Sequence, residues 1–276
     1  MNIIENEEFY KILHSKGLYY FKKIYSVNGN NFQKGCGSYL FNGKRYKYFQ
    51  PAYEKQKLLY NLAKQYSEIL EIGVYMAHSI LIMLLANPKI KITAIDIDKT
   101  FAVPSINYLK DEFPNAQINF IHGDSLSVLK SLKKKFELFH IDGTHDNSIV
   151  TKEFALCLNL RRDVNKYRIL FDDIDSLAYL QKNILSSFNI STYILPKCDN
   201  KNAFIEILIK KNLLINQLKN FNKKNFIHSM SNYHNILIVK LYYIFRDLFS
   251  KSIRDRLGKF SFFQKASYLI NKIKTH

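Results

Sequence analysis

Between residues 68 and 172 short apolar runs alternate with helical stretches, again and again. Strands are expected at 68–72, 91–96, 117–121, 136–141 and 168–172, and helices at 77–86, 101–112, 125–133, 147–160 and 175–187. Such alternation demands a mainly parallel sheet covered on both faces, because each helix carries the chain back to the start of the next strand. Two later apolar runs, Thr192–Leu195 and Ala203–Ile209, are joined by Pro196 to Asn202, too short for a helical crossover. They should form an antiparallel hairpin. The expectation is an α/β fold with a seven-stranded, mostly parallel sheet and one reversed strand near its end.

The flanks read differently. Residues 1–26 are expected to be helical, with Phe9, Ile12, Leu13, Tyr19, Tyr20 and Ile24 as apolar positions. Residues 27–51 hold Gly29, Gly35, Gly37, Gly43 and Pro51 among tyrosines and asparagines, which is loop chemistry. A loop ahead of a binding core suits a substrate lid or a packed surface strap, and the sequence leaves both open. A helix follows from Tyr53 to about Tyr66. The chain thus divides into an extension at 1–54, a core at 55–210 and a helical appendage at 211–276.

Open α/β sheets bind ligands at the carboxyl ends of their strands. Here every strand end carries an acid. The first ends in Glu71-Ile72-Gly73, the second in Asp96-Ile97-Asp98 and the third in His122-Gly123-Asp124-Ser125. The fourth ends in Asp142-Gly143-Thr144-His145 and the fifth in Asp172-Asp173. A single acid there is often a helix N-cap. A row of them along one rim is self-repelling, and a cationic ligand or a metal would offset the repulsion. Asp96 stands about 25 residues after the first strand, the spacing that sets a carboxylate beside a ribose. Asp98 is an alternative, two residues past it. The first turn lacks the full G-x-G-x-x-G pattern, with Gly73, Tyr75 and His78 at the glycine positions. S-adenosylmethionine (SAM), with a sulfonium, an ammonium and no phosphate, fits an acidic rim better than NAD does.

The run Glu71-Ile72-Gly73-Val74-Tyr75-Met76-Ala77-His78-Ser79 resembles the first motif of class I SAM-dependent methyltransferases. It is most similar to the metal-dependent O-methyltransferases typified by catechol O-methyltransferase and to macrolide sugar O-methyltransferases. Phe139-His140-Ile141-Asp142-Gly143-Thr144-His145 and Phe171-Asp172-Asp173 are similar to those families too, and the likeness spans about residues 55–210. The resemblance implies a Rossmann-like fold. It implies that Glu71, Gly73 and Tyr75 line the methionine end of SAM, with Ser79 near its carboxylate. Asp96 would take the ribose hydroxyls, Asp124 and Ser125 would flank the adenine, and Asp142, Asp172 and Asp173 would hold a metal. His145 would be the catalytic base. His78, His122 and His140 read as structural. Many relatives have glycine where this chain has Ala77-His78, and a Gly-Gly turn where it has Arg161 to Tyr167.

The trio of acids also stands on its own chemistry. Oxygen donors on adjacent strand ends suit a hard cation such as Mg²⁺, which keeps open positions for substrate oxygens. A metal there can lower the pKa of a bound hydroxyl, and His145 can take the proton near neutral pH. Each residue has a plainer alternative: Asp142-Gly143 as a turn, Asp172-Asp173 as an N-cap, His145 as a surface histidine.

Formal net charge is +18. Residues 211–276 hold ten Lys and three Arg against two Asp, a balance of +11, which leaves +7 for the first 210 residues. A basic tail can meet nucleic acid or anionic lipid, or be a solvated charged face. Cys36, Cys157 and Cys198 are too few and too scattered for a disulfide framework, which fits a reducing compartment. The N-terminus has no apolar leader, and the apolar stretch Ile236–Phe249 is broken by Lys240 and Arg246. The expectation is a cytoplasmic protein, with peripheral membrane contact through the tail left open.

The reading that joins these features is a metal-assisted SAM-dependent O-methyltransferase acting on a sugar, glycan or small polyol. Its rivals are a nucleic-acid methyltransferase and a non-catalytic docking module of the same fold. Against the first rival, Asp-Gly-Thr-His stands near the fourth strand, where base methylation calls for an Asn-Pro-Pro-Tyr-like motif.

Overall fold

A computed structural model describes residues 7–31, 41, 43, 45, 50–144, 146–162, 167–172, 191–194 and 205–209. The chain divides into two compact units, Met1–Leu213 and Leu214–His276. The second, which carries the expected basic appendage, lies outside the described residues. So do most of the 27–51 loop, the helix expected at 175–187, His145 and Asp173.

The first unit is built on one sheet. Its parallel strands are β1 (Glu68–Ile72), β2 (Lys91–Asp96), β3 (Gln117–His122), β4 (Leu138–Ile141) and β5 (Tyr167–Phe171). They lie in the order β3-β2-β1-β4-β5. Two further strands are β6 (Ser191–Ile194) and β7 (Ile205–Ile209). β7 runs antiparallel to β5, and β6 runs antiparallel to β7.

The helices are α1 (Glu8–Ile12), α2 (Leu18–Val27), α3 (Gln50–Ala63), α4 (His78–Ala86), α5 (Ala102–Glu112), α6 (Ser125–Ser131) and α7 (Asn147–Asn159). A π-helical turn, Leu13–Gly17, joins α1 to α2, so the helix expected over 1–26 is interrupted. The expected fourth strand also begins two residues too early. Phe136 makes only an isolated bridge to Arg161, and Leu138 is the first ladder residue. The third crossover helix closes at Ser131 rather than residue 133, and the chain turns extended at Leu132.

Strand period two sends alternate side chains to opposite faces, and in β1, β2 and β4 both faces are buried. Ile69, Ile92, Ala94, Leu138 and Leu170 join one cluster with residues of α1 to α5. Their neighbours Leu70, Ile72, Ile95, Phe139, Ile141 and Phe171 are equally buried. On that side Phe154 of α7 meets Phe171 with ring centroids 5.7 Å apart. This is why the strands read as unbroken apolar runs rather than as alternating ones.

Candidate active site

The strand order reverses between β1 and β4: β2 and β3 lie to one side, β4 and β5 to the other. At such a switch point two crossovers leave in opposite directions and open a crevice beyond the strand ends. The ladders continue one residue past each strand, with Gly73 N donating to Ile95 O, Asp142 N to Ile72 O and Asp172 N to Ile141 O. The register therefore sets Gly73, Asp142 and Asp172 in a row. Asp96 ends β2 beside Gly73.

The turn from β1 into α4 is wound tightly. Gly73, Tyr75 and Ala77 all have positive φ, at 87°, 46° and 57°. A Cβ on Gly73 would collide with the Asp142 carbonyl oxygen, so only glycine lets the turn pass the end of β4. Ala77 takes the left-handed conformation that glycine adopts more easily, and it does so while fully buried. Asp96 holds this turn. Its Oδ2 accepts Val74 N–H at 2.7 Å and Tyr75 N–H at 2.9 Å, while Oδ1 accepts Asp98 N–H at 2.9 Å. A carboxylate offers about four acceptor directions, so roughly one is left for a ribose hydroxyl. Asp98 is exposed and accepts Thr100 N–H, and the Thr100 bonds hold its carboxyl below the usual range.

Glu71 does not face the crevice openly. It is fully buried on β1, where Ser79 of α4 donates its hydroxyl to Oε1. The His140 Nδ1 of β4 lies 2.9 Å from the same oxygen. Glu71 and His140 are register partners on adjacent strands, so this pair follows from the ladder itself. Glu71 Oε2 and His140 Nε2 are both buried with no hydrogen-bond partner among the described residues. The Ser79 hydroxyl is thus engaged with Glu71 at the start of α4.

Beyond β3, Asp124 is the N-cap of α6. It accepts from Ser127 N at 2.9 Å, and the Ser127 hydroxyl holds its carboxyl below the usual range. Ser125 opens α6 and donates to Glu153 Oε1 of α7 at 2.5 Å. Glu153 is 1% exposed, and burial pushes its carboxyl up. Glu153 was not read from the sequence. Its only signal was an acid on the otherwise apolar face of its helix.

The two described members of the expected metal trio behave differently. Asp142 is half-buried, and its carboxylate has no partner among the described residues. Asp172 is 4% exposed and forms an ion pair with Lys55 of α3. No three His, Cys, Asp or Glu side chains gather at metal-binding distance among the described residues, but Asp173 and His145 are not among them. In register, Asp142 and Asp172 suit a hard cation as adjacent donors, and Lys55 already supplies one positive charge there. Lys55 was also missed. In sequence it reads as one more solvated lysine among Glu54 and Lys57.

These partners revise the argument from repulsion along the rim. Asp96, Asp124 and Asp172 each meet an N–H or an ammonium of the chain itself, and Glu71 meets His140 and Ser79. Only Asp142 keeps its carboxylate uncommitted among the described residues.

Residues 54–171 match the sequence model of a family described as O-methyltransferase. An Arabidopsis thaliana protein that carries the name caffeoyl-CoA O-methyltransferase is 42% identical over 64 residues, which is 23% of this chain and 28% of that protein. The chain thus spans little more than a quarter of that relative's length. Among solved structures, the O-methyltransferase of Bacillus cereus in complex with SAH is similar at TM-score 0.53 and 16% identity, over 70% of this chain and 91% of that one. The O-methyltransferase TomG of Streptomyces achromogenes, involved in tomaymycin synthesis and solved with SAM, is similar at TM-score 0.52 and 15% identity, over 76% and 92%. These likenesses establish the shared fold. Among the described residues no helix is long and apolar enough to cross a membrane. Residues 54–171, the stretch that builds the strand-end crevice, are thus similar to the O-methyltransferase family.

Proposed function

We propose that the chain transfers a methyl group from SAM to a hydroxyl oxygen of a small acceptor with neighbouring oxygens. One observation carries the reading. The sheet reversal at β1 and β4 puts the Gly73 turn, Asp96 and Asp142, whose carboxylate is uncommitted among the described residues, around one crevice. The family match over the same residues supports it.

In this reading the turn over Gly73 leaves room for the methionine end of SAM, and Asp96 offers its remaining acceptor direction to the ribose. Ser125 and Asp124 stand at the adenine end. Glu71, from beneath the turn, fixes Ser79 and so the start of α4. Asp142 and Asp172, with Asp173, would hold a divalent ion such as Mg²⁺, which when bound would bring two acceptor oxygens together and acidify one hydroxyl. His145 is the proposed proton acceptor, three residues past Asp142. Alignment of the acceptor oxygen with the methyl group supplies much of the rate.

A sugar, glycan or small polyol satisfies the demand for adjacent oxygens. So does the vicinal phenol of a caffeoyl group, which the name of the Arabidopsis relative brings in. The test is methyl transfer to a panel with both arms, sugars and catechols, with and without EDTA. Transfer to at least one arm is expected, with loss of activity in EDTA. Full activity in EDTA removes the metal, and no transfer to either arm removes the acceptor class. Asp142→Asn should lower turnover by at least about a hundredfold and spare SAH binding. Wild-type turnover from that variant would count against Asp142.

Contact of the basic tail with nucleic acid or an anionic membrane surface rests on its charge alone, as does a cytoplasmic site on the cysteine pattern.

A further inference from the structure

The ion pair between Lys55 and Asp172 does not belong to the chemistry proposed above, and it sits inside it. Asp172 follows β5, is 4% exposed, and stands in register beside Asp142. Lys55 comes from α3, a helix that precedes the whole sheet, and its side chain is 16% exposed. A carboxylate buried to this degree is costly to hold unless an opposite charge or hydrogen-bond donors meet it. The chain provides that opposite charge from its own sequence, at the strand end where a divalent ion would bind. Two cations on one buried carboxylate repel, and the low dielectric that strengthens the ion pair strengthens the repulsion as well.

We propose that Lys55 is the resident counter-cation of this strand-end site and competes with a divalent ion for Asp172. The metal would then bind only when the lysine swings away, and its affinity would be set by the lysine as much as by the acids. The inference rests on the reading of Asp142 and Asp172 as metal ligands. A second consequence is that the polar tie from α3 to the rim through Lys55, unlike its apolar packing, is present only while the metal is absent.

The experiment is a Mn²⁺ titration of the full chain followed by electron paramagnetic resonance, for wild type, Lys55→Met, Lys55→Arg and Asp142→Asn. Lys55→Met should bind Mn²⁺ at least about tenfold more tightly than wild type, because the competitor is gone. Lys55→Arg keeps the charge and should stay near wild type. Folding of each variant is checked by circular dichroism. A second measurement needs no substitution: reductive methylation of lysines on the wild-type chain, with Lys55 followed by mass spectrometry. Saturating Mn²⁺ should speed labelling of Lys55 severalfold and leave exposed lysines unchanged. Mn²⁺ binding that Asp142→Asn weakens but Lys55→Met leaves unchanged, with Lys55 labelling also unchanged, overturns the competition and leaves the metal site standing. No Mn²⁺ binding in any variant overturns both.

Discussion

At Asp96 three backbone N–H groups converge on one carboxylate, so this strand-end acid serves the fold itself. The sequence gives each acid's position at the rim but not its partner. Asp124 caps α6 and Asp172 meets Lys55, which is 117 residues away in sequence. Periodicity reports which residues are apolar and in what element. It is silent on which long side chain crosses from one helix to a distant strand, and so Lys55 and Glu153 went unread. His78 was read as structural, and its burial gives that reading a measurable consequence. Burial alone pushes its imidazole down to about 3, against an ordinary value of 6.5. Its ring packs against Phe21 at 4.8 Å. The unfolded chain therefore takes up a proton below pH 6.5 that the folded chain refuses. Stability from this group is whole above pH 6.5 and is lost as pH falls toward 3, by about 2 kcal/mol at pH 5. Glu153 acts in the opposite sense, since burial raises its carboxyl and costs stability as pH rises above 4.5. A comparison of wild type with His78→Leu cancels that contribution. Urea unfolding at pH 7.5 and pH 5 should show the wild type losing about 2 kcal/mol more than the variant. Equal losses would mean that His78 is protonated in the fold.

At the scale of elements, the five parallel strands and the helices between them were legible because apolar runs of strand length are bounded by turn residues and acids. The errors fall at ends. Phe136 is as apolar as Leu138, but strand β4 starts only where the ladder to β1 begins, and a ladder is a property of two segments. The π turn at Leu13–Gly17 leaves Leu13 and Gly17 buried, so the apolar spacing that suggests one long helix survives the interruption. What holds these first helices is visible only in the structure. Phe9 lies between two tyrosines of α3, with ring centroids 5.3 Å from Tyr53 and 5.1 Å from Tyr60. Around it, Glu7 accepts from Tyr53 and Lys57, and Glu8 accepts from Tyr60 and Lys64. The apolar contact should dominate, since the charges are partly solvated. Phe9→Ala is expected to cost about 3–4 kcal/mol of stability by urea unfolding. Lys57→Ala should cost no more than about 1 kcal/mol. Comparable losses from the two would show that the ion pairs, and not the aromatic stack, pin α1 to α3.

Over the whole chain, charge is divided more sharply than mass. The first 210 residues carry +7 and the last 66 carry +11. Several acids of the first part pair with its lysines and arginines, so charges of both signs lie side by side there. The last part has almost no acid to mix. Binding to a polyanion releases counterions in proportion to the cations that contact it together, so clustered charge counts for more than the same charge dispersed. Beyond about 10 Å at 0.1 M salt, scattered charges are screened from one another. Two variants with the same net charge separate these effects. Reversal of Lys223, Lys224, Arg254 and Arg256 to Glu takes the chain from +18 to +10. So does reversal of the exposed Lys22, Lys110, Lys133 and Lys152 of the first unit. On immobilised heparin the tail variant should elute at a salt concentration roughly 0.1 M or more below the other. SAH binding by the tail variant should stay at the wild-type level, since it leaves every strand-end residue from Glu71 to Asp172 unchanged. Coincident elution would mean that net charge alone governs the interaction, and the tail would then be a solvated face with no special claim on an anionic partner.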